Sequence, residues 1–213
     1  MKSASFISKQ VVSGEYYFLN LRPEKGAAGT VVCGGQERCD PHYRIVRNSF
    51  KFHSIEYVAA GQGELGVNGE RFPLRPGAIF YYSPTTSHEI ATDPAQPLDK
   101  YFVDFCGPRF TRLLKRHPLA SHEPCYLGSA PRIREIFADL QQSGRNTGPH
   151  TQGICACLLD QIPTLKRVFV ERRDDSRLIV LRGDNPDVPP VVVDDARAFS
   201  IQGVVTHLVD RAL

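Results

Sequence analysis

Turn signals between residues 50 and 107 restrict the fold more than any other feature of the chain. This stretch alternates apolar with polar residues and is interrupted at Gly61-Gln62-Gly63, Asn68-Gly69 and Arg75-Pro76-Gly77. Short alternating runs bounded by such turns predict an antiparallel β-barrel or sandwich. A strand enters Gly61-x-Gly63 and a hairpin turns at Asn68-Gly69. Pro76-Gly77 then leads a hydrophobic strand to Ser83-Pro84-Thr85-Thr86-Ser87-His88, and Tyr101–Gly107 (YFVDFCG) closes the set.

The order of these turns resembles a cupin barrel, in the form found at the front of AraC-type bacterial transcription regulators. The resemblance covers residues 30 to 107 in motif detail. It implies a fold that is mainly β with C-terminal helices: a cupin-like double-stranded antiparallel β-barrel followed by a helical dimerisation segment. Cupins include enzymes, storage proteins and sensors, so the residues at the metal positions decide between them. The metal-dependent pattern resembles a His-x-His pair and a Glu ahead of the first glycine, with a further His in the second motif. Here the Glu position holds Ser54, the two upstream His positions fall on Ser49 and Arg47, and only His88 matches. A catalytic divalent metal normally takes about three protein ligands, so no metal, cofactor or catalytic residue is expected. His53 and Glu56 lie near enough to be displaced ligands. Side chains repeat every two residues along a strand, which puts Glu56 on the face of Ser54 and His53 on the other.

The expected ligand-binding residues are therefore Arg47, Ser54, Glu56 and His88, polar groups at pocket positions of a barrel whose interior suits a small molecule. An inward Arg47 would imply an anionic group on the ligand. Each has a plainer alternative: Glu56 as a solvated strand residue, His88 as a cap on the turn after Pro84. His53 reads more simply as a hydrogen-bonded strand histidine.

Composition agrees with a globular protein. The 213 residues are 23% charged and 41% hydrophobic, and a chain of that length buries a sizeable core. A net charge of +3 is too small to be an electrostatic footprint for nucleic acid. No apolar run approaches the roughly 20 residues that span a bilayer, and the N-terminus lacks the apolar core of a signal peptide. The expected location is cytoplasmic, without a membrane partner. The six cysteines would then be thiols; the spacing of Cys33, Cys39 and His42 matches no common zinc pattern.

After Gly107 the pattern changes. Pro108 suits a helix start, with Phe110, Leu113 and Leu114 behind it. A second helix follows Pro131 with Ile133, Ile136, Phe137 and Leu140 on one face. A third is expected over about 150–172, with Ile154, Leu158, Leu159, Ile162, Leu165, Val168 and Phe169 at spacings of three and four, kinked or divided at Pro163. In AraC-type sensors such helices form the dimer contact, and Cys155, Ala156 and Leu159 broaden the apolar face here. Residues 174–195 read as a linker. Residues 196–213 carry Phe199, Ile201, Val204, Val205, Leu208 and Val209 at helical spacing and look like the start of an AraC-type DNA-binding domain. The expected domains are thus a 1–107 ligand-binding barrel, a 108–173 helical dimerisation segment, the linker, and a truncated DNA-binding domain.

Two functions follow from the resemblance. The first is the effector-sensing and dimerisation domain of an AraC-type transcription regulator. It would bind a small-molecule effector, form a homodimer through its C-terminal helices, and reach DNA only through a domain missing from this chain. Residues 1 to 15 would serve as an arm over the pocket. The second is a free-standing cupin enzyme, an isomerase, epimerase or metal-dependent oxygenase, for which Glu56 and His88 are the one acid–base pair on offer.

Overall fold

The structure is a computed structural model and describes residues 7–115, 118–126, 130–162, 166–173, 176–183 and 191–193. Residues 1–163 form one compact unit and 164–213 a second.

The first unit is built on two antiparallel sheets, as the turn signals predict. One sheet runs in the order β1 (Val11–Phe18), β2 (Thr30–Cys39), β9 (Asp99–Cys106), β4 (His53–Ala60), β7 (Ala78–Tyr82), β10 (Cys125–Tyr126). The other runs β3 (Arg44–Arg47), β8 (His88–Thr92), β5 (Gly63–Val67), β6 (Glu70–Leu74). The hairpin between β5 and β6 turns at Asn68 and Gly69, with φ of 51° and 88°. Positive φ at both central residues matches the twist of the strands and suits Asn-Gly. Gly61 ends β4 at φ 81°, and a Cβ there would collide with the carbonyl oxygen of Pro97. Only glycine lets the chain pass so closely, which is why the motif is visible in the sequence.

Strand parity divides the residues between two environments. On the inner side Val58, Leu65, Val67, Leu74, Phe80, Tyr82 and Ile90 form a buried cluster. On the outer side of the six-stranded sheet lie Tyr57, Tyr101 and Phe105. α1 (Pro108–Leu114) starts on its proline and buries Phe110 against Phe105, edge to face at 5.4 Å. α2 (Ala130–Gly144) buries Ile133, Ile136, Phe137 and Leu140, the four positions expected of it. Each such side chain contributes about 1.5–3 kcal/mol when withdrawn from water. Phe137 stacks on Tyr57 at 5.9 Å and leans on Tyr101. α3 (Thr151–Gln161) packs beside α2 and on β2.

Three expectations need correction. The third helix stops at Gln161 instead of continuing to about 172, and Lys166–Arg173 is a strand, β11. Pro163, next in the sequence, has no N–H with which to continue the hydrogen-bond ladder. Val168 and Phe169, which fit a helical stripe, fit an alternating strand equally well. The buried face of α3 is also rotated: Cys155, Ala156 and Leu159 are buried while Ile154 is 49% exposed. Finally, the segment read as a linker holds β12 (Ser176–Gly183) and β13 (Val191–Val193), which join β11 in a three-stranded antiparallel sheet. The helices expected after the barrel are present, and a second small β unit follows them in the chain. The helix expected over 196–213 lies outside the described residues.

Candidate functional site

The inner faces of β2, β4, β7 and β9 carry more charge than the outer ones, and the charge is buried. Glu37, Glu56, Lys100 and Asp104 are each at most 4% exposed. Register explains the gathering. Glu37 lies opposite Lys100 across β2 and β9, and Ser54 lies opposite both Asp104 on β9 and Tyr82 on β7. All sit at inward positions of the pleat.

Lys100 links the two glutamates. Its Nζ is 2.8 Å from Glu37 Oε2 and 2.9 Å from Glu56 Oε2. The remaining oxygens also have donors: Tyr16 donates to Glu37 Oε1 at 3.3 Å and Tyr82 to Glu56 Oε1 at 2.7 Å. Burial disfavours the Lys100 ammonium, but Glu37 and then Glu56 outweigh it and raise its pKa well above the usual value. Lys100 is therefore a permanent cation and no nucleophile.

Asp104 behaves differently. Burial raises its pKa to about 7, against the neighbouring Ser54 and Cys33 side chains, which act in the opposite sense. Cys33 donates its thiol to Oδ2 at 3.4 Å. The buried Ser54 hydroxyl faces Asp104 across β4 and β9, and among the described residues no ion pair joins the carboxylate.

His88 stands on β8, in the facing sheet, and stacks on Tyr82 with ring centroids 3.9 Å apart. Its Nδ1 lies 3.1 Å from the carbonyl oxygen of Thr86. A carbonyl only accepts, so Nδ1 carries the proton and Nε2 presents a lone pair. Burial lowers the pKa of His88 and keeps the ring neutral. Nε2 is buried and has no hydrogen-bond partner among the described residues.

A cavity opens beside these groups. Glu37, Arg47, Glu56, Tyr82, Lys100 and Asp104 line it. Phe50 and Phe102 add aromatic walls, and Ile7 and Ser8 of the N-terminal segment reach its edge. Arg47 stands over the Phe50 ring at 4.6 Å and pairs with His88 across β3 and β8. The volume open to the centre of a water is about 20 Å³, room for a water or two.

The structure thus brings Arg47, Ser54, Glu56 and His88 to one interior, three of them fully buried and Arg47 at the mouth. His53 faces outward, its Nδ1 2.7 Å from the Tyr81 hydroxyl. Cys33 and Cys39 are buried free thiols whose pKa values burial pushes up, that of Cys39 to about 12. Among the described residues no group of three or more His, Cys, Asp or Glu side chains is arranged to hold a metal ion, and no helix is long and apolar enough to cross a membrane.

Sequence reasoning missed Glu37, Lys100 and Asp104. The signal for two of them was present. Lys100 and Asp104 interrupt an apolar strand, Lys-Tyr-Phe-Val-Asp-Phe, at positions of one parity. What it lacked was the strand that this face meets.

The profile of the AraC-like ligand binding domain matches residues 32–178, more than half of the chain. The Msm operon regulatory protein of Streptococcus mutans is 24% identical over 102 residues, covering 46% of this chain and 36% of that protein. The chain thus spans about a third of that relative's length. The plu4264 protein of Photorhabdus luminescens aligns over 51% of this chain and 86% of its own, with 17% identity and a TM-score of 0.37. A cupin 2 conserved barrel domain protein of Salinispora arenicola aligns over 46% and 82%, with 20% identity and a TM-score of 0.33. The class is a ligand-binding domain built on antiparallel β-sheets. The chain belongs to the AraC-like ligand-binding domain family.

Proposed function

We propose that this chain is the effector-sensing part of an AraC-type transcription regulator and that it acts by binding, without catalysis. The observation that carries this reading is the buried set Glu56, His88, Lys100 and Asp104 beside an open cavity, in a chain of the ligand-binding family. A core built for stability alone would hold apolar residues there, since buried ion pairs contribute little net stability over well-packed hydrophobes. Arg47 and Glu56 would orient the effector at the mouth. Ser54 and His88 would contact it deeper in the barrel.

Regulation would work through differential affinity: an effector shifts only an equilibrium between states that it binds unequally. The N-terminal segment supplies such a state. Ile7 and Ser8 occupy the cavity edge, and little room is left beside them, so an effector larger than a water or two displaces them. Homodimerisation through α2 and α3 is supported by Ile154, exposed one turn before the half-buried Leu158 on the outer face of α3. DNA contact would belong to a domain beyond this chain, and a cytoplasmic location follows from that role.

The test is a thermal-shift screen of small metabolites on the 213-residue chain, repeated on Glu56→Gln and on a chain lacking residues 1–10. A stabilising compound whose effect falls at least tenfold in Glu56→Gln supports the reading. Unchanged responses in both variants would sink it. A free-standing cupin isomerase or epimerase is the second reading, favoured by one observation: a neutral imidazole and a carboxyl that titrates near 7 in one interior are a workable acid–base pair. Turnover of a stabilising compound by the purified chain would move that reading to the front.

A further inference from the structure

Three consecutive residues of β1 reach two environments. β1 stands at the edge of the six-stranded sheet with β2 as its neighbour, so one ladder of hydrogen bonds holds it. Side chains alternate along a strand, which sends Tyr16 into the barrel and Glu15 and Tyr17 out towards the helices.

Inward, the Tyr16 hydroxyl donates to Glu37 Oε1, and its ring leans on Phe102 with centroids 6.2 Å apart. Glu37 and Phe102 both line the cavity. The polar links of this network differ in length. Tyr82 reaches Glu56 at 2.7 Å, and Lys100 reaches Glu37 and Glu56 at 2.8 and 2.9 Å. Tyr16 stands 3.3 Å from Glu37. Bonds between a hydroxyl and an oxygen acceptor run from about 2.5 to 3.0 Å, so the Tyr16 link is the weakest. A ligand that brings its own donor to Glu37 Oε1 replaces that link first.

Outward, the same stretch of β1 is fastened to the C-terminal end of α2. Gln141 Nε2 donates to Glu15 Oε2 at 2.9 Å, and Arg145 pairs with that oxygen. The Tyr17 ring lies flush against Gly144, where a Cβ would collide with its Cγ, Cδ2 and Cε2 atoms. Its hydroxyl end lies against Gly34, its partner in the β1–β2 register. Tyr17 is 3% exposed, and among the described residues its hydroxyl has no hydrogen-bond partner. Packing, not hydrogen bonding, therefore holds this ring. Contacts packed as closely as these pass a displacement on instead of absorbing it.

Resting on the effector-binding reading above, we propose that Glu15-Tyr16-Tyr17 is a relay that couples the contents of the barrel to the seating of α2. Tyr16 is a positioning residue that senses the ligand through Glu37. When a ligand donor takes Glu37 Oε1, the Tyr16 hydroxyl is released and β1 turns about its single ladder. Glu15 and Tyr17, on the opposite face, turn with it, and the C-terminal end of α2 loosens from the sheet. The coupling ligand is thus one with an N–H or O–H donor at the Glu37 end. An acceptor-only or apolar ligand has no means of releasing Tyr16.

The experiment needs no ligand. Tyr16→Phe removes the hydroxyl and keeps the ring, which reproduces the released state. Hydrogen exchange of the 213-residue chain, read amide by amide by NMR, should show residues 141–144 exchanging about threefold faster in the variant. Residues 133–137 of the same helix and the amides of β4 should exchange as before. Gly144→Ala enters from the other end and should shift the Glu37 and Lys100 resonances, since coupling is reciprocal. Unchanged protection of residues 141–144 in Tyr16→Phe overturns the proposal. So does an acceleration spread evenly over all amides, the mark of a hydrogen bond that only adds stability. If Tyr16→Phe does not fold, Gly144→Ala decides: Glu37 and Lys100 resonances left in place overturn the relay. The effector-binding reading stands or falls separately, in the metabolite screen.

Discussion

The two faces of β4 and β9 are made from the same backbone and serve opposite ends. Outward, Tyr57, Tyr101 and Phe105 meet Phe137 and Phe110 in ring contacts between 5.4 and 5.9 Å. Inward, the alternate residues Ser54, Glu56, Lys100 and Asp104 hold buried charge and unsatisfied acceptors. The outer face is what packing alone selects: apolar area removed from water, with aromatic pairs in tilted or stacked geometry. The inner face keeps groups whose desolvation is costly. Such an arrangement persists where those groups have a task, and a ligand site is the task that this fold and this family supply.

The contrast is sharpest at Lys100. Lys100→Met leaves Glu37 and Glu56 buried without their cation, and the expected loss is about 3–5 kcal/mol, read from chemical denaturation. The outer counterpart is Phe137→Ala, which removes the ring between Tyr57 and Tyr101. The expected loss is about 3 kcal/mol with effector binding in the barrel unchanged, so a binding defect there would erase the distinction between the faces. Tyr82→Phe deletes the donor to Glu56 and should cost about 1.5–3 kcal/mol, with a binding defect as well.

Asp104→Asn is expected to have the smallest effect on stability and the opposite sign. The folded-state pKa is about 7 against an ordinary 3.8. The folded chain therefore holds a proton that the unfolded chain releases, and Asp104's contribution to stability is present below pH 4 and lost as pH rises to about 7. The shift bounds the penalty at roughly 4 kcal/mol. An amide still buries polar atoms, so a gain of about 1–2 kcal/mol at pH 8 is expected. Stability measured from pH 4 to pH 8 should fall for the unaltered chain and lose most of that slope in the variant.

How much of this was legible depended on whether the information was local. Glycines forced by backbone conformation, at Gly61 and Asn68-Gly69, mark the barrel because φ is a property of one residue. Parity along β4 separates Glu56 from His53 for the same reason. The stripe of α2 was readable because Ile133, Ile136, Phe137 and Leu140 repeat at three and four along one buried face. Glu37, Lys100 and Asp104 were not readable as a site, since their meaning lies in the pairing of β2 with β9 and of β9 with β4, strands distant in sequence. The region after Pro163 was misread because short apolar runs such as Val168–Val170 satisfy helical and strand periods alike. A linker-like composition also concealed β12, whose Leu178–Leu181 run is apolar enough to pair.

The central claim is that the inner face exists for a ligand. It is tested most directly by replacing Glu37 and Glu56 with Leu and Lys100 with Met together, then screening one metabolite library by thermal shift on this variant and the unaltered chain. The account predicts a variant at least as stable as the original that no longer responds to the compounds stabilising the unaltered chain. Retention of those responses, with the charges gone, would contradict it.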